Sequence, residues 1–334
     1  MTQSKKELRA SERGTAPPPV EESRIKRKSP LVEGDRKGAG TDRAFAGLTQ
    51  FAGIFILIIL AFVAAFLVWN SRGALYQDDE FTVGQFLSYA WPFAYGTVVV
   101  ALLALIFATP VAVGVALYIS HYAPKKASQS LGYVIDLLAA IPSVVYGAWG
   151  FVFLAPALTG FYWWLHENFG FIPFFSGEPG LGRNLLTASI VLSVMILPII
   201  SSVTREIFVQ TPKLHEEAAL ALGATKWEMI KMAVFPFARA GIVSGVMLGL
   251  GRALGETMAV VMVLSGIGFQ LDLLSAGNST IPREIASNFP EQTVGSERWA
   301  QLIALGLVLF IITLVVNMAA RWIIARNKEF SGAN

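Results

Sequence analysis

The chain has 334 residues, 54% of them apolar and only 15% charged, with a net charge of +3. A soluble protein of this length carries about 25% charged residues, so the deficit points to a membrane protein. There is no cysteine, which excludes disulfides and thiolate metal sites, and the three histidines, His121, His166 and His215, have no ligand spacing.

Residues 1–48 read as a disordered tail. The first fifty residues hold eleven of the twenty-six Lys and Arg, a Pro17–Pro19 run and almost no large apolar side chain. Such a segment cannot bury enough surface to offset chain entropy. No apolar core lies near its start, so no cleavable signal peptide is expected.

Crossing a hydrocarbon layer of about 30 Å takes about twenty apolar residues. Six stretches qualify: Phe51–Trp69 (within a first span at 49–70), Phe93–Ile119, Leu137–Leu154 with Pro142 inside, Leu185–Val203, Gly241–Ile267 and Leu302–Ala320. The chain is therefore read as an all-α membrane protein with six transmembrane helices, five of them in a core at 85–326. The Lys and Arg bias sets its orientation. The tail, 121–131, 205–239 and the C-terminal end carry eleven, two, five and three of them. The alternate segments carry only Arg72, Arg183, Arg283 and Arg298. The first set is expected to be cytoplasmic, giving an N-in/C-in multi-pass protein. Asp136 reads as a carboxylate at a helix start, and His166, beside Trp163 and Trp164, as an interfacial residue.

Arg205 falls at the inner end of the fourth span, either as an ordinary positive-inside anchor or as a contact for a passing anion. The segment after it, Thr211 to Pro236, reads as two short helices within 211–232. Thr211-Pro212 suits a helix start, Gly223 a left-handed stop, and Thr225-x-x-Glu228 a capping box. Leu214, Ala218 and Ala221 can form an apolar stripe suited to the lipid surface or to a groove on another protein, and the scarcity of basic residues favours the groove. With Glu217-Ala218-Ala219, Gly223 and Pro236, this segment resembles the EAA loop of ABC importer permeases. Ala233 and Phe235 stand where that pattern has Ile and Leu. The resemblance implies a type I (MetI-like) permease fold. It also implies that Glu217, Ala218, Ala219 and Gly223 dock on an ATP-binding subunit.

The fifth span contains Arg252 and Glu256 with no other charge nearby. On a continuous helix, Arg252 lies about 18 Å in, near mid-membrane, and the two residues share a face. They are read either as a neutralising ion pair or as part of a solute pathway, the usual role of ionisable groups in a membrane. Gly241, Gly245 and Gly249 recur every four residues, so this helix is expected to pack closely on another.

GRALGETMAV at Gly251–Val260, with IPSVVYG at Ile141–Gly147, resembles the PstC-type permeases of phosphate ABC importers. The shorter R-A-x-G-E pattern is also similar to sulfate and molybdate permeases, which stand as the alternative. The resemblance implies a PstA-like second permease, two PstB-like ATP-binding subunits and a PstS-like phosphate-binding protein, in the cell (inner) membrane. Arg252 would then meet the anion, Glu256 would hold Arg252 and weaken binding, and Arg205 is the second pathway candidate. The chain has no GxxxxGK[ST] loop, so ATP and Mg belong to a partner and no cofactor is expected here. The sequence offers no nucleophile–base set and no metal site. A stand-alone ion-coupled carrier is disfavoured because no internal repeat is visible.

Overall fold

The computed structural model describes residues 39–77, 80–81, 83–266 and 270–326. The expected disordered tail lies outside these over residues 1–38. By contact the chain divides into two units, ending and beginning at Leu60 and Ala61. The described part of the first unit is one helical stretch whose side chains from 44 to 60 are all exposed, with Phe51 stacked on Phe55. That stretch opens α1 (Ala39–Asn70), which starts about ten residues earlier than the sequence suggested. An apolar helix without a polar face is suited to hydrocarbon.

In the second unit, α2 (Arg72–Leu75) precedes a two-residue antiparallel pair, β1 (Tyr76–Gln77) with β2 (Glu80–Phe81). These are the only strands among the described residues. Next come α3 (Val83–Leu117), a π turn at Tyr118–Tyr122, and α4 (Lys125–Ala139). Then α5 (Ser143–Trp149) and α6 (Ala155–Phe169) are joined by a second π turn, Gly150–Leu154. They are followed by α7 (Leu185–Val209), α8 (Lys213–Ala221) and α9 (Lys226–Met229). A third π turn, Ile230–Val234, leads into α10 (Phe235–Leu254). The chain closes with α11 (Met258–Val263), α12 (Ile281–Asn288) and α13 (Glu297–Arg326).

Six helical stretches are long and apolar enough to span a membrane: 44–74, 83–122, 143–169, 185–209, 226–254 and 297–322. Two spans differ from the sequence reading. The third begins at Ser143, because Pro142 stands at its start and Leu137–Ala139 complete α4. A proline disfavours helical backbone in the residue before it, so the apolar run is cut at Ile141. The fifth begins at Lys226 and ends at Leu254, well before Ile267.

The core is centred on α7, with Leu185, Leu192, Ile196 and Ile200 fully buried against α3 and α10. In a membrane such packing rests on close fit more than on the hydrophobic effect. The glycine repeat supplies it. A Cβ at Gly241, Gly245 or Gly249 would meet Ile207, Val203 or Ile200 respectively, all on α7. Small residues every fourth position let α10 lie directly on α7, as the repeat predicts.

Candidate functional site

The two charges of the fifth span are separated by a break. α10 stops at Leu254, Gly255 caps it, and Glu256 and Thr257 are not helical before α11 restarts at Met258. Arg252 therefore sits in the last turn of one helix and Glu256 just ahead of the first turn of another. Each helix dipole favours the charge it meets, a cation at the C-terminal end and a carboxylate at the N-terminal end. The expected i,i+4 ion pair is absent among the described residues, because no continuous helix joins them.

Glu256 is buried at 8% exposure, and its Oε1 accepts from the Ala259 N–H at 3.2 Å. Around it, Thr97, Leu192, Ala253, Val260 and Thr280 leave no room for a water molecule. Arg252 faces the other way and is exposed. It lines a groove of about 520 Å³ with Ile199, Ser244, Met247, Leu248, Gly251 and Asn317. Ile199 lies near the middle of α7, so Arg252 is at mid-bundle although it ends its own helix. Gly251 has open space where a Cβ would be, which keeps the groove floor clear beside the guanidinium.

Arg205 is elsewhere. It is half-buried at the C-terminal end of α7, where Nη2 lies 3.6 Å from Asp136 Oδ2 and the guanidinium presses on Gly132. Asp136 also accepts from Ser202 Oγ at 3.1 Å. This ties α4 to α7 and corrects the reading of Asp136, which is three residues from the end of α4 and not at a helix start. His166 stays among aromatic rings, edge-on to Trp163 at 5.8 Å.

The segment after α7 carries the other expected site. α8 has no buried residue; Leu214, Glu217, Ala218, Ala221 and Leu222 are all exposed, while Glu216 and Ala219 are half-buried, Ala219 against the cluster that holds Phe208 and Ile230. Gly223 turns the chain with φ +87°, a left-handed conformation that glycine adopts freely. The capping box holds, with Glu228 N–H donating to Thr225 Oγ1 and Thr225 N–H to Glu228 Oε2. It does not start a separate helix, since α9 continues through its π turn into α10. Thr211 is not the cap of α8 either; Pro212 occupies that position and the Thr211 hydroxyl is buried without a partner among the described residues. An ionisable pair also ties α8 to the end of the second span: His121 Nε2 stands 3.7 Å from Glu216 Oε1, while Nδ1 meets Ser120 Oγ at 2.7 Å.

Two residues without a sequence signal join this site. Arg183 and Arg283 both donate to the Leu264 carbonyl, at 3.2 and 3.3 Å, just past the C-terminal end of α11. Arg183 Nε also reaches Val263 O, and Arg283 Nη2 reaches Ser265 O at 2.7 Å. Burial pulls the Arg283 pKa below the usual guanidinium value; Glu284 opposes this and Arg183 adds to it. The short helix behind the break is thus fixed at one end by Glu256 and at the other by two guanidinium groups.

The family described as "Binding-protein-dependent transport system inner membrane component" matches residues 108–329. A relative from Mycobacterium tuberculosis, named phosphate transport system permease protein PstC 2, is 42% identical over 309 residues, 88% of this chain and 95% of the relative. One from Xylella fastidiosa, named phosphate transport system permease protein PstC, is 39% identical over 315 residues, 89% and 95% of the two chains. Among solved structures, a chain of a bacterial alginate ABC transporter in complex with an alginate-bound periplasmic protein shares the fold. Its TM-score is 0.59 at 17% identity, covering 90% of this chain and 100% of that one. A chain of the MetNI methionine ABC transporter gives 0.50 at 17% identity, covering 73% and 97%.

Proposed function

The chain belongs to the family of binding-protein-dependent transport system inner membrane components, and from that membership we propose that it is the permease subunit of an ATP-driven phosphate importer. It forms half of the translocation pathway, the other half coming from a PstA-like permease. The observation that carries the reading is the Arg252 guanidinium, without an ion-pair partner among the described residues, on the wall of a mid-bundle groove. Guanidinium stays charged and its fork suits phosphate oxygens. Relatives named for phosphate, matched over nearly their whole length, support that anion over sulfate or molybdate.

Glu256 has a different part from the one its spacing suggested. It does not hold Arg252. Its carboxylate sits at the start of α11, where a helix terminus would itself attract an anion. That end is closed to phosphate itself, and the negative charge of Glu256, four residues after Arg252, weakens binding along the path. Arg205, committed to Asp136, tethers α4 to α7.

Two PstB-like subunits bind ATP and Mg and perform the hydrolysis, in keeping with the missing phosphate-binding loop in this sequence. Their closure reaches the permease through α8 and the turn after it, with Glu217, Ala218 and Gly223 on the exposed side and Ala219 passing the movement inward. A PstS-like protein delivers phosphate at the opposite end. The Lys and Arg bias supports an inner-membrane protein with α8 and both termini in the cytoplasm. In the assembled complex, Arg252→Gln is expected to abolish ATP-driven uptake of labelled phosphate while the ATP-binding subunits still co-purify. Uptake at the unaltered rate overturns the pathway role.

A further inference from the structure

Between Gln301 and Arg321 the last span has only two polar side chains, Thr313 and Asn317. Thr313 is satisfied within its own helix, donating to Phe310 O at 2.8 Å. Asn317 makes no hydrogen bond to any described residue, and it lies on the wall of the Arg252 groove. An amide unmet in hydrocarbon is costly, so a polar side chain kept on this wall calls for a polar occupant.

The groove's hydrogen-bonding inventory narrows that occupant. Arg252 offers donors only. Ser244 already donates to Ala240 O at 3.0 Å, so toward the groove its oxygen can only accept. Asn317 offers two N–H donors and one carbonyl acceptor. Sulfate has acceptors alone and would leave the Ser244 oxygen and the Asn317 carbonyl without partners. Hydrogen phosphate and dihydrogen phosphate carry at least one P–O–H and match both kinds of group.

We propose that Asn317 is a specificity-determining ligand of the translocation groove: its N–H joins Arg252 on the phosphate oxygens, and its carbonyl accepts the P–O–H proton. This rests on the phosphate reading above and adds selection by the permease itself. A site that hydrogen-bonds a hydroxyl rejects the analogue lacking it, because its own polar groups are then left unpaired.

The absence of cysteine makes a direct test possible. A Leu248→Cys reporter on the groove wall is placed in the complete transporter in lipid nanodiscs, and maleimide labelling is read on this subunit's band. Inorganic phosphate is expected to slow labelling at concentrations about tenfold or more below those of sulfate. Adding Asn317→Leu, well tolerated in an apolar span, should remove that preference while co-purification of the partner subunits is unchanged. A phosphate preference that survives Asn317→Leu overturns the proposal. So does an absence of protection by either anion with Asn317 intact. In that case, labelled-phosphate uptake by the same preparation separates the two readings: continued uptake leaves the phosphate reading standing, and loss of uptake removes both.

Discussion

Replacing Glu256 by glutamine and by alanine separates its hydrogen bond from its charge. The carboxylate accepts from the Ala259 N–H at 3.2 Å, and Ala259 is buried. No helical carbonyl is available to that amide, because Gly255 and Glu256 lie outside the helices. Glutamine keeps an acceptor oxygen at the same reach. Alanine leaves a buried donor unmet, at a cost of about 1–3 kcal/mol. If the new space admits a water, the lower end applies. In opening equilibrium this is about 5- to 150-fold. Hydrogen exchange by mass spectrometry on a peptide covering 258–263, in the assembled complex, reads it directly. Glu256→Gln should exchange as the unaltered chain does, and Glu256→Ala faster by that factor. Under the proposed electrostatic role, both should transport poorly, since both lose the negative charge. Equal acceleration in the two variants would refute the capping argument. Unimpaired transport by Glu256→Gln would remove the electrostatic role.

Three further outcomes follow from local geometry. Gly223→Val places a β-branched residue at φ +87°, a strain of about 1–2 kcal/mol with no clash, since the space around it is open. The complex should still assemble and hydrolyse ATP, with less phosphate moved per ATP; an unchanged ratio counts against α8 as the coupling element. Glu216→Gln removes the charged partner of His121 and should lower the same ratio, measured as phosphate uptake against ATP hydrolysis, while Glu216→Asp should recover part of it. Gly96→Ala drives a Cβ into the Ser279 carbonyl oxygen, a backbone atom that cannot rotate away. Overpacking of this kind costs about 1–3 kcal/mol, so the melting temperature of the purified complex should fall clearly.

What could be read from the sequence was local or periodic. Six apolar spans, glycines four apart, a capping box and a glycine stop each depend on a few neighbouring residues, and each stands in the structure, with the third and fifth spans shifted in their bounds. The breaks were not legible for the same reason. Hydropathy is nearly continuous through Pro142 and Gly255, and membrane spans tolerate both residue types, so composition does not show where a helix ends. Asn317 has no local signature at all; it acquires meaning only when three helices bring Ile199, Arg252 and Asn317 to one groove. Arg183 and Arg283 are a hundred residues apart and meet on carbonyls that no side-chain pattern could announce.

The break also resolves why two charges persist in an apolar segment. On an unbroken helix Arg252 and Glu256 would neutralise each other, and a pair of that kind is replaceable by apolar residues at little cost. Broken at Gly255, the segment gives each charge its own partner. Glu256 is spent on the Ala259 amide and the start of α11. Arg252 has the C-terminal dipole of α10 behind it and an open groove in front. Discontinuous helices at mid-membrane are where transporters build sites for ions and anions, because backbone ends and unneutralised charges are exposed there together. The glycine that ends α10 is therefore what separates the guanidinium from the carboxylate and leaves it facing an open groove.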